Sequence, residues 1–272
     1  MTVTTTPARK KLSPRRRAQR IRYLNYAILI LGLLAVILFT DGRQLQQVFF
    51  RPDMIEATVG PGLLNALKNT ILYTLGAFIF GLVLGTVLAL MKLSQVAPYR
   101  WIATVYTEIF RGIPAIIVLL AFSLISLAIP GLQIPFDPFG AVWMALGLVA
   151  GAYMSETIRA GIQAIPRGQT EAARSLGMPS GMATRKIILP QAFRIVTPPL
   201  TNELVSLTKD SSLIYVIGLS AEAFDLTKYG RDLTNTHANM TPLVIAGLTY
   251  LVITLPLTFL VRRMESKQKA SR

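Results

Sequence analysis

The sequence contains no cysteine and only one histidine, His237. Without thiols the chain can form no disulfide, no cysteine-ligated metal site and no cysteine nucleophile. A lone histidine cannot build a multi-histidine centre within one chain, so we expect no metal site and predict that His237 is a solvated loop residue.

Charged residues are also scarce. They make up 15% of the chain, against about a quarter in a typical soluble domain, while 52% of the residues are hydrophobic. The 28 Lys and Arg residues outnumber the 13 Asp and Glu residues, which gives a net charge of +15. Because the basic residues cluster beside apolar segments, membrane topology explains them better than nucleic-acid binding does. The composition predicts a multi-pass membrane protein without a nucleic-acid partner.

Six segments are long enough to cross a hydrocarbon core of about 30 Å. Helices satisfy their own backbone hydrogen bonds in lipid, so we predict an all-α polytopic fold with about six transmembrane helices. The first segment follows a long basic leader and lacks a small-x-small cleavage site, which favours a retained anchor over a signal peptide. The segments are Tyr23–Phe39, Asn69–Met91, Trp101–Ile129, Phe139–Ile158, Arg194–Leu219 and Pro242–Val261.

Small residues recur along the second of these segments. Gly76, Gly81 and Gly85 lie at intervals that let helix backbones approach closely. We predict that they pack against another helix of the same chain.

The basic residues predict the orientation. With a cytoplasmic N-terminus, 21 of the 28 Lys and Arg residues lie in the predicted cytoplasmic segments. The positive-inside rule therefore places both termini in the cytoplasm. This orientation makes residues 1–22 a basic cytoplasmic tail, residues 264–272 a second cytoplasmic tail and residues 161–193 the longest internal cytoplasmic loop.

The loop at 161–193 has a legible local pattern. Thr170 is predicted to cap a short helix that Gly177 ends in the left-handed conformation. Ser180 is predicted to cap a second helix, which Pro190 limits. Ala172, Ala173 and Leu176 are expected to share one smooth face of the first helix. Periodicity alone favours a plain connector between two spans, and a helical knob that inserts into a groove of another protein is the alternative.

The same stretch resembles the EAA loop of permease subunits in ATP-binding-cassette (ABC) importers. That pattern is E-A-A, three residues, G, nine residues, I, one residue and L-P. Every fixed position is matched at the required spacing, by Glu171-Ala172-Ala173, Gly177, Ile187 and Leu189-Pro190. Agreement over seven fixed residues is improbable by chance.

Three neighbouring stretches are similar to the polar amino-acid branch of these permeases, the histidine/glutamine/glutamate/arginine type. They are "EIFRGIP" (Glu108–Pro114), "AYMSETIRAGIQAIPRGQTEAA" (Ala152–Ala173) and "NELVSLTKDSSL" (Asn202–Leu213). The resemblance covers about residues 60–263. It implies a type I ABC importer permease fold with a five-helix core and a cytoplasmic coupling helix, here preceded by an extra span at residues 23–39.

The resemblance also implies partners. These are two ATPase subunits, a second permease that is homologous or identical, an extracytoplasmic solute-binding protein and the lipid of a prokaryotic plasma membrane. The substrate implied is a polar amino acid, with a lean to glutamate or glutamine that no physical observation supports. The residues implied to contact the ATPase are Glu171, Ala172, Ala173, Arg174, Leu176 and Gly177.

ATP chemistry is expected on a partner. No lysine in the chain is preceded by glycine, so the G-K-[ST] part of a Walker A loop is absent. We therefore expect this chain to be no enzyme and to bind no cofactor, with ATP and Mg²⁺ held by the partner ATPase.

Two pairs of opposite charge are predicted to be structural. Glu108 and Arg111 are three residues apart, as are Glu156 and Arg159, so each pair can meet on one helix face.

The fifth segment carries Glu203, Lys209 and Asp210. A charge at the bilayer centre costs about 2.5–3.5 kcal/mol, so these groups should face protein or water. A structural Lys209–Asp210 network is the favoured interpretation. The alternative is a substrate path formed by Asn202, Glu203, Thr208, Lys209, Ser211 and Ser212.

Two other functions compete with an ABC permease. An ion- or proton-coupled secondary transporter of small polar solutes would use Glu203 and Asp210, but it gives no reason for the EAA pattern. A membrane enzyme is less well supported, because the sequence offers no nucleophile–base pair and no cluster of metal ligands.

Overall fold

The structure is a computed structural model that describes residues 14–39 and 41–270. The chain divides into two compact units, residues 1–50 and residues 51–272. The first unit contains helix α1 (Pro14–Phe39) and helix α2 (Gly42–Phe49). The Asp41 carboxylate caps α2 by accepting hydrogen bonds from the backbone N–H groups of Arg43 and Gln44. Helix α1 begins well before Tyr23, so residues 14–22 are helical where we predicted a tail. The rest of that tail, residues 1–13, lies outside the described residues.

The second unit is also helical. It contains no strand among the described residues, which confirms the all-α prediction. A π-helical turn (Thr184–Ile188) joins α10 to α11, and two 3₁₀ turns (Ser211–Val216 and Ala221–Ala223) precede α12. The helices are α3 (Pro52–Thr58), α4 (Pro61–Leu93), α5 (Ala97–Gly112), α6 (Ala115–Ser123), α7 (Ile125–Ala128), α8 (Phe139–Gln163), α9 (Arg167–Ser175), α10 (Ser180–Ala183), α11 (Leu189–Asp210), α12 (Leu226–His237) and α13 (Thr241–Ala270).

Four described helices, α1, α4, α8 and α13, are long and apolar enough to cross a membrane. The bent pair α5–α6 makes up to five. Helix α11, which corresponds to the predicted fifth span, is polar and carries Pro198 and Pro199 in its interior. The count of six spans therefore stays a prediction. Helix α13 runs on to Ala270, so the predicted tail from residue 264 is mostly helical, and residues 271–272 lie outside the described part.

Helices α4 and α8 form a close-packed parallel pair, which we call the frame. The rings of Tyr73 and Phe139 stack near one end, and Lys92 binds Glu156 near the other. Between these points Gly81 and Gly85 lie directly against the backbone of α8. A Cβ atom added at Gly85 would lie 2.9 Å from the carbonyl oxygen of Gly151, which leaves no room for any other residue. The predicted internal packing of the α4 glycines is confirmed.

The predicted third span is broken. Helices α5 and α6 meet at 97°, so the run 101–129 is not one straight helix. Ile113 adopts an extended conformation (φ −91°, ψ 132°) because the ring of Pro114 disfavours a helical residue before it. Gly112 ends α5 immediately before this break.

The predicted helix boundaries in the loop 161–193 are partly wrong. Helix α9 begins at Arg167, after Pro166, so Thr170 lies inside it and caps nothing. Helix α10 begins at Ser180 without a side-chain cap. Pro190 does not end the second helix, because the preceding π turn widens the backbone where the proline ring would clash with an α-helical carbonyl. The chain is therefore helical without interruption from residue 180 to residue 210.

The connection between α11 and α13 is held to the first half of α4. The side-chain amide of Asn69 donates to the carbonyl oxygens of Glu222 and Phe224, at 2.7 and 3.0 Å. The hydroxyl group of Tyr73 donates to the carbonyl oxygen of Ala223 at 2.9 Å. These bonds satisfy backbone carbonyl groups in and directly after the short 3₁₀ turn Ala221–Ala223.

Asp225 is fully buried in this connection and caps α12. Its carboxylate accepts hydrogen bonds from the backbone N–H groups of Thr227 and Lys228 and from the Tyr250 hydroxyl. Burial disfavours the charged form and raises the pKa of Asp225 to about 6, and the three hydrogen bonds counteract part of this rise.

Candidate functional site

A cavity of about 550 Å³ lies at the break between α5 and α6. Helix α8 forms one wall and helix α11 another. The lining residues are Arg111, Gly112, Ile113, Pro114 and Ala115 at the break, Leu146, Val149, Ala150 and Tyr153 on α8, and Glu203, Ser206, Leu207 and Asp210 on α11. Because the break turns α6 away from the axis of α5, it leaves space that a continuous helix would fill. We call this space the central cavity.

The central cavity holds charges of both signs. Arg111, in the last turn of α5, places its guanidinium carbon 5.5 Å from the ring centre of Tyr153. Glu203 and Asp210 are seven residues apart, so they lie on one face of α11, about 10 Å apart along its axis. Neither carboxylate forms an ion pair with any residue that the structure describes. The cavity therefore offers one cation and two carboxylates to a ligand.

The structure brings only one of the six predicted path residues to the central cavity, Glu203. Asn202 and Lys209 are exposed on other faces of α11, because successive helix residues point about 100° apart. Thr208 is buried and lines a separate apolar pocket against α13. Its hydroxyl group donates to the backbone carbonyl oxygen of Leu204. The Ser211 hydroxyl group donates to the backbone carbonyl oxygen of Thr208.

Two further predictions in this region are corrected. Ser212 is half-buried outside the cavity lining. Lys209 and Asp210 form no salt bridge, so the anchoring network predicted for them is not present as an ion pair. Adjacent residues of a helix diverge too far for the lysine to reach the neighbouring carboxylate along its own side chain.

Of the two predicted ion pairs, one is formed. Arg159 donates to Glu156 from Nε at 3.0 Å and from Nη2 at 2.7 Å. Lys92 of α4 binds the other carboxylate oxygen of Glu156, a partner that the sequence did not indicate. The predicted Glu108–Arg111 pair is wrong, because Arg111 turns toward Tyr153 and the central cavity while Glu108 stays exposed.

The EAA stretch forms a short helix with a defined end. The backbone N–H group of Gly177 donates to the carbonyl oxygen of Arg174 at 2.9 Å. The backbone N–H group of Met178 donates to the carbonyl oxygen of Ala173 at 3.1 Å. This is a Schellman C-cap, and it requires the left-handed conformation that Gly177 adopts, with φ +78°.

The residues of that helix divide by exposure. Glu171, Ala172 and Arg174 are exposed, and Leu176 is 84% exposed. Ala173 is 1% exposed, so the predicted single face of Ala172, Ala173 and Leu176 is wrong. Ala173 therefore packs against the rest of the protein and presents no surface to a partner.

Most residues of the central cavity are not predicted by the sequence patterns. The sequence patterns predict an ion pair for Arg111 and a network for Asp210, and they indicate no role for Ser206 or Tyr153. A signal was present on α11, since residues 203, 206, 207 and 210 follow the helical period from Glu203. The α5 part had a weaker signal, the Gly-Ile-Pro run that breaks the helix.

Comparison with known proteins relates the chain to one transporter family. The family model for the binding-protein-dependent transport system inner membrane component matches residues 77–270. The arginine transport system permease protein of Bacillus subtilis (strain 168) is 42% identical over 211 residues, which cover 78% of this chain and 94% of the relative. The glutamate/aspartate import permease protein of Escherichia coli O157:H7 is 40% identical over 215 residues, which cover 76% of this chain and 93% of the relative.

Solved structures agree with this relationship. A crystal structure of an amino acid ABC transporter with histidines has a TM-score of 0.68 at 37% identity, and the match covers 79% of this chain and 97% of the other. A bacterial ABC transporter that imports the acidic polysaccharide alginate has a TM-score of 0.63 at 17% identity, which shows the fold alone.

These comparisons support the ABC permease prediction and not the secondary-transporter alternative. They also confirm the type I ABC importer permease fold that the EAA pattern implied. The chain belongs to the family of binding-protein-dependent transport system inner membrane components, as a multi-pass membrane permease subunit.

Proposed function

We propose that this chain is the translocating subunit of an ATP-driven importer and that its substrate is an amino acid with a cationic side chain. The observation that carries the proposal is the central cavity, in which one guanidinium and two carboxylates without ion-pair partners surround about 550 Å³. The relatives named for arginine and for glutamate/aspartate make an amino-acid substrate the natural choice.

The charges complement such a substrate. Arg111 suits the α-carboxylate, because a guanidinium can donate two parallel hydrogen bonds to it. One of the two acidic residues suits the α-ammonium group. The other leaves a negative charge for a cationic group at the far end of the side chain, and the spacing of about 10 Å along α11 separates the two. An acidic side chain would meet repulsion here, so the cavity favours arginine or lysine over the glutamate or glutamine suggested by resemblance.

Helix α9 is the proposed coupling site. Glu171, Ala172, Arg174 and Leu176 offer an exposed surface at a rigidly capped helix end, and the strong basic bias of this side supports a cytoplasmic location. Two ATPase subunits would dock here, and a second permease and an extracytoplasmic solute-binding protein would complete the importer. ATP and Mg²⁺ would be held by the ATPase, and this chain would carry out no catalysis.

Motion at α9 has a direct route to the cavity. The helical run from residue 180 to residue 210 begins at the end of the α9 turn and carries Glu203 and Asp210. The π turn and the pair Pro198-Pro199 interrupt its hydrogen bonding, so the run can bend at defined points. We infer that movement of α9 opens or closes the cavity by bending this run.

Uptake into proteoliposomes tests the proposal. The chain is reconstituted with its ATPase and solute-binding protein, and labelled arginine, lysine, glutamine and glutamate are compared with ATP inside. We expect ATP-dependent uptake that favours the cationic amino acids. Uptake driven by a proton or sodium gradient without ATP would contradict the importer assignment, and a preference for glutamate would contradict the substrate assignment alone.

Gly177→Leu tests the coupling site in the same assay. The open surroundings of Gly177 accept the side chain, but the left-handed backbone does not, so we expect a folded protein with a distorted α9 end. Uptake and co-purification of the ATPase should both fall. Gly247→Leu, at an equally open but α-helical position of α13, is the control. Normal transport by Gly177→Leu would refute the role of α9.

A further inference from the structure

We propose that a cationic recess at the ends of α4, α5 and α8 binds the phosphate group of an anionic phospholipid. The recess has a volume of about 340 Å³ and lies apart from the central cavity. It is lined by Lys92, Arg100, Thr104, Glu156 and Arg159.

The recess carries a surplus of positive charge. Lys92, Arg100 and Arg159 converge on it, and Glu156 is its one carboxylate. Both oxygens of that carboxylate are already engaged, one by Lys92 and one by Arg159. The net charge of the lining is therefore +2, which disfavours a cation or a neutral ligand and favours a phosphate group.

The cationic side chains are held in position. The Lys92 side chain is only 8% exposed and also donates to the hydroxyl group of Thr107. Arg100 is fixed by hydrogen bonds from Nη1 to the carbonyl oxygens of Ser94 and Gln95, at 3.0 and 2.7 Å. Both bonds use Nη1, so Nε and Nη2 of this exposed guanidinium can donate to an anion. Fixed donors lose little conformational entropy when they bind a ligand.

The position of the recess selects a lipid over a free anion. Lys92 lies in the last turn of α4 and Arg100 in the first turn of α5, at the level where spanning helices leave the hydrocarbon. Tyr99 and Trp101 flank Arg100 and are 52% and 68% exposed, as expected of aromatic residues at the headgroup level.

A bound phosphate would join three helices. It would connect the frame, through Lys92 and Arg159, to α5, through Arg100 and Thr104. Helix α5 carries Arg111 at its other end, so a lipid at the recess would stabilise the helix that positions the cation of the central cavity.

Native mass spectrometry of the purified full chain tests the assignment. The delipidated protein is titrated in detergent with phosphatidylglycerol, with phosphatidylcholine and with inorganic phosphate. We expect phosphatidylglycerol to bind in preference to phosphatidylcholine, and inorganic phosphate at millimolar concentration to leave it bound. Arg100→Gln should weaken phosphatidylglycerol binding about fivefold, the effect of one basic residue at a membrane surface.

Arg262→Gln is the matched control, since Arg262 is an exposed arginine of α13 outside the recess. Equal losses in the two variants, or equal binding of the two lipids, would overturn the proposal. Displacement of phosphatidylglycerol by inorganic phosphate would assign the recess to small anions and would overturn the lipid assignment.

Thr104→Ala keeps the charge and is expected to weaken binding less than Arg100→Gln does. If Arg100→Gln fails to fold, Thr104→Ala takes its place: a phosphatidylglycerol affinity below that of Arg262→Gln supports the proposal, and an affinity equal to that of Arg262→Gln contradicts it.

Discussion

The frame and the central cavity are built by opposite means from helices of one bundle. Helices α4 and α8 touch along their length because small residues face each other, and a Cβ at Gly85 would lie 2.9 Å from the Gly151 carbonyl oxygen. Around the cavity, by contrast, α5 is cut off at Pro114 and α11 carries two prolines and two acidic residues. Close packing gives rigidity, whereas interrupted helices leave room for polar groups that lipid would not tolerate. The rigid, close-packed frame therefore supports a polar, deformable site.

The largest effect is expected from a substitution that breaks the frame. Gly85→Leu would insert a side chain where backbone of α8 lies, and overpacking of this kind costs about 1–3 kcal/mol even where neighbouring side chains can move. Because backbone is in the way here, we expect loss of folded protein. The yield of monodisperse protein in size-exclusion chromatography measures it. Gly247→Leu, with nothing within 4 Å of its added Cβ, should give the normal yield.

A substitution in the central cavity should leave the frame intact and weaken transport. Arg111→Gln removes charge-assisted hydrogen bonds worth about 1.5–3 kcal/mol, so we expect substrate affinity to fall about ten- to a hundredfold. Glu108→Gln is a matched control on the same helix, since Glu108 is exposed and lines no part of the cavity. Equal uptake defects in the two variants would show that the cavity is not where substrate binds.

The same contrast explains what the sequence could predict. The frame follows from local spacing, because glycines at helical intervals show which face packs closely, and the Glu156–Arg159 pair follows from a separation of three residues. The left-handed Gly177 was predictable as well, from one residue type in a known motif.

The features that the sequence did not predict are of two kinds. In some, two local signals oppose each other, and in others the contact joins residues that are far apart in the sequence. The long apolar run 101–129 indicates one continuous span, although Pro114 within it is a helix breaker and the helix does break there. At Pro190 the π turn accommodated a proline that usually ends a helix. Burial of Ala173 depends on how α9 lies against the helical turns that follow it. The network of Asp225 joins Thr227 and Tyr250, and no short spacing predicts that the latter contact forms.

A smaller effect is expected where the frame holds the connection between α11 and α13. Asn69→Ala would remove the donor to two carbonyl groups in a buried position, at a cost of about 1–3 kcal/mol. Asn65 donates to one of the same carbonyl groups but is exposed, so Asn65→Ala should cost less because water replaces the lost bond. Thermal unfolding of both variants in detergent compares them. A larger loss for Asn65→Ala would mean that burial does not determine the strength of this attachment.

The smallest effect is a pH dependence, which arises at Asp225 in the same connection. The pKa of its carboxyl group is about 6 in the folded protein, against an ordinary value of 3.8 for aspartate. Between these values the folded state binds more protons than the unfolded state, so this group makes the free energy of unfolding decrease as pH increases. Below about pH 3 both states are protonated and above about pH 7 neither is, so the contribution is constant outside the window. Asp225→Asn keeps an acceptor oxygen but cannot titrate. We therefore expect the unfolding temperature of the wild-type protein, measured relative to Asp225→Asn, to fall from pH 4 to pH 6.5 and then to level off. A difference that grew with pH would mean that the hydrogen bonds from Thr227, Lys228 and Tyr250 outweigh burial and stabilise the carboxylate.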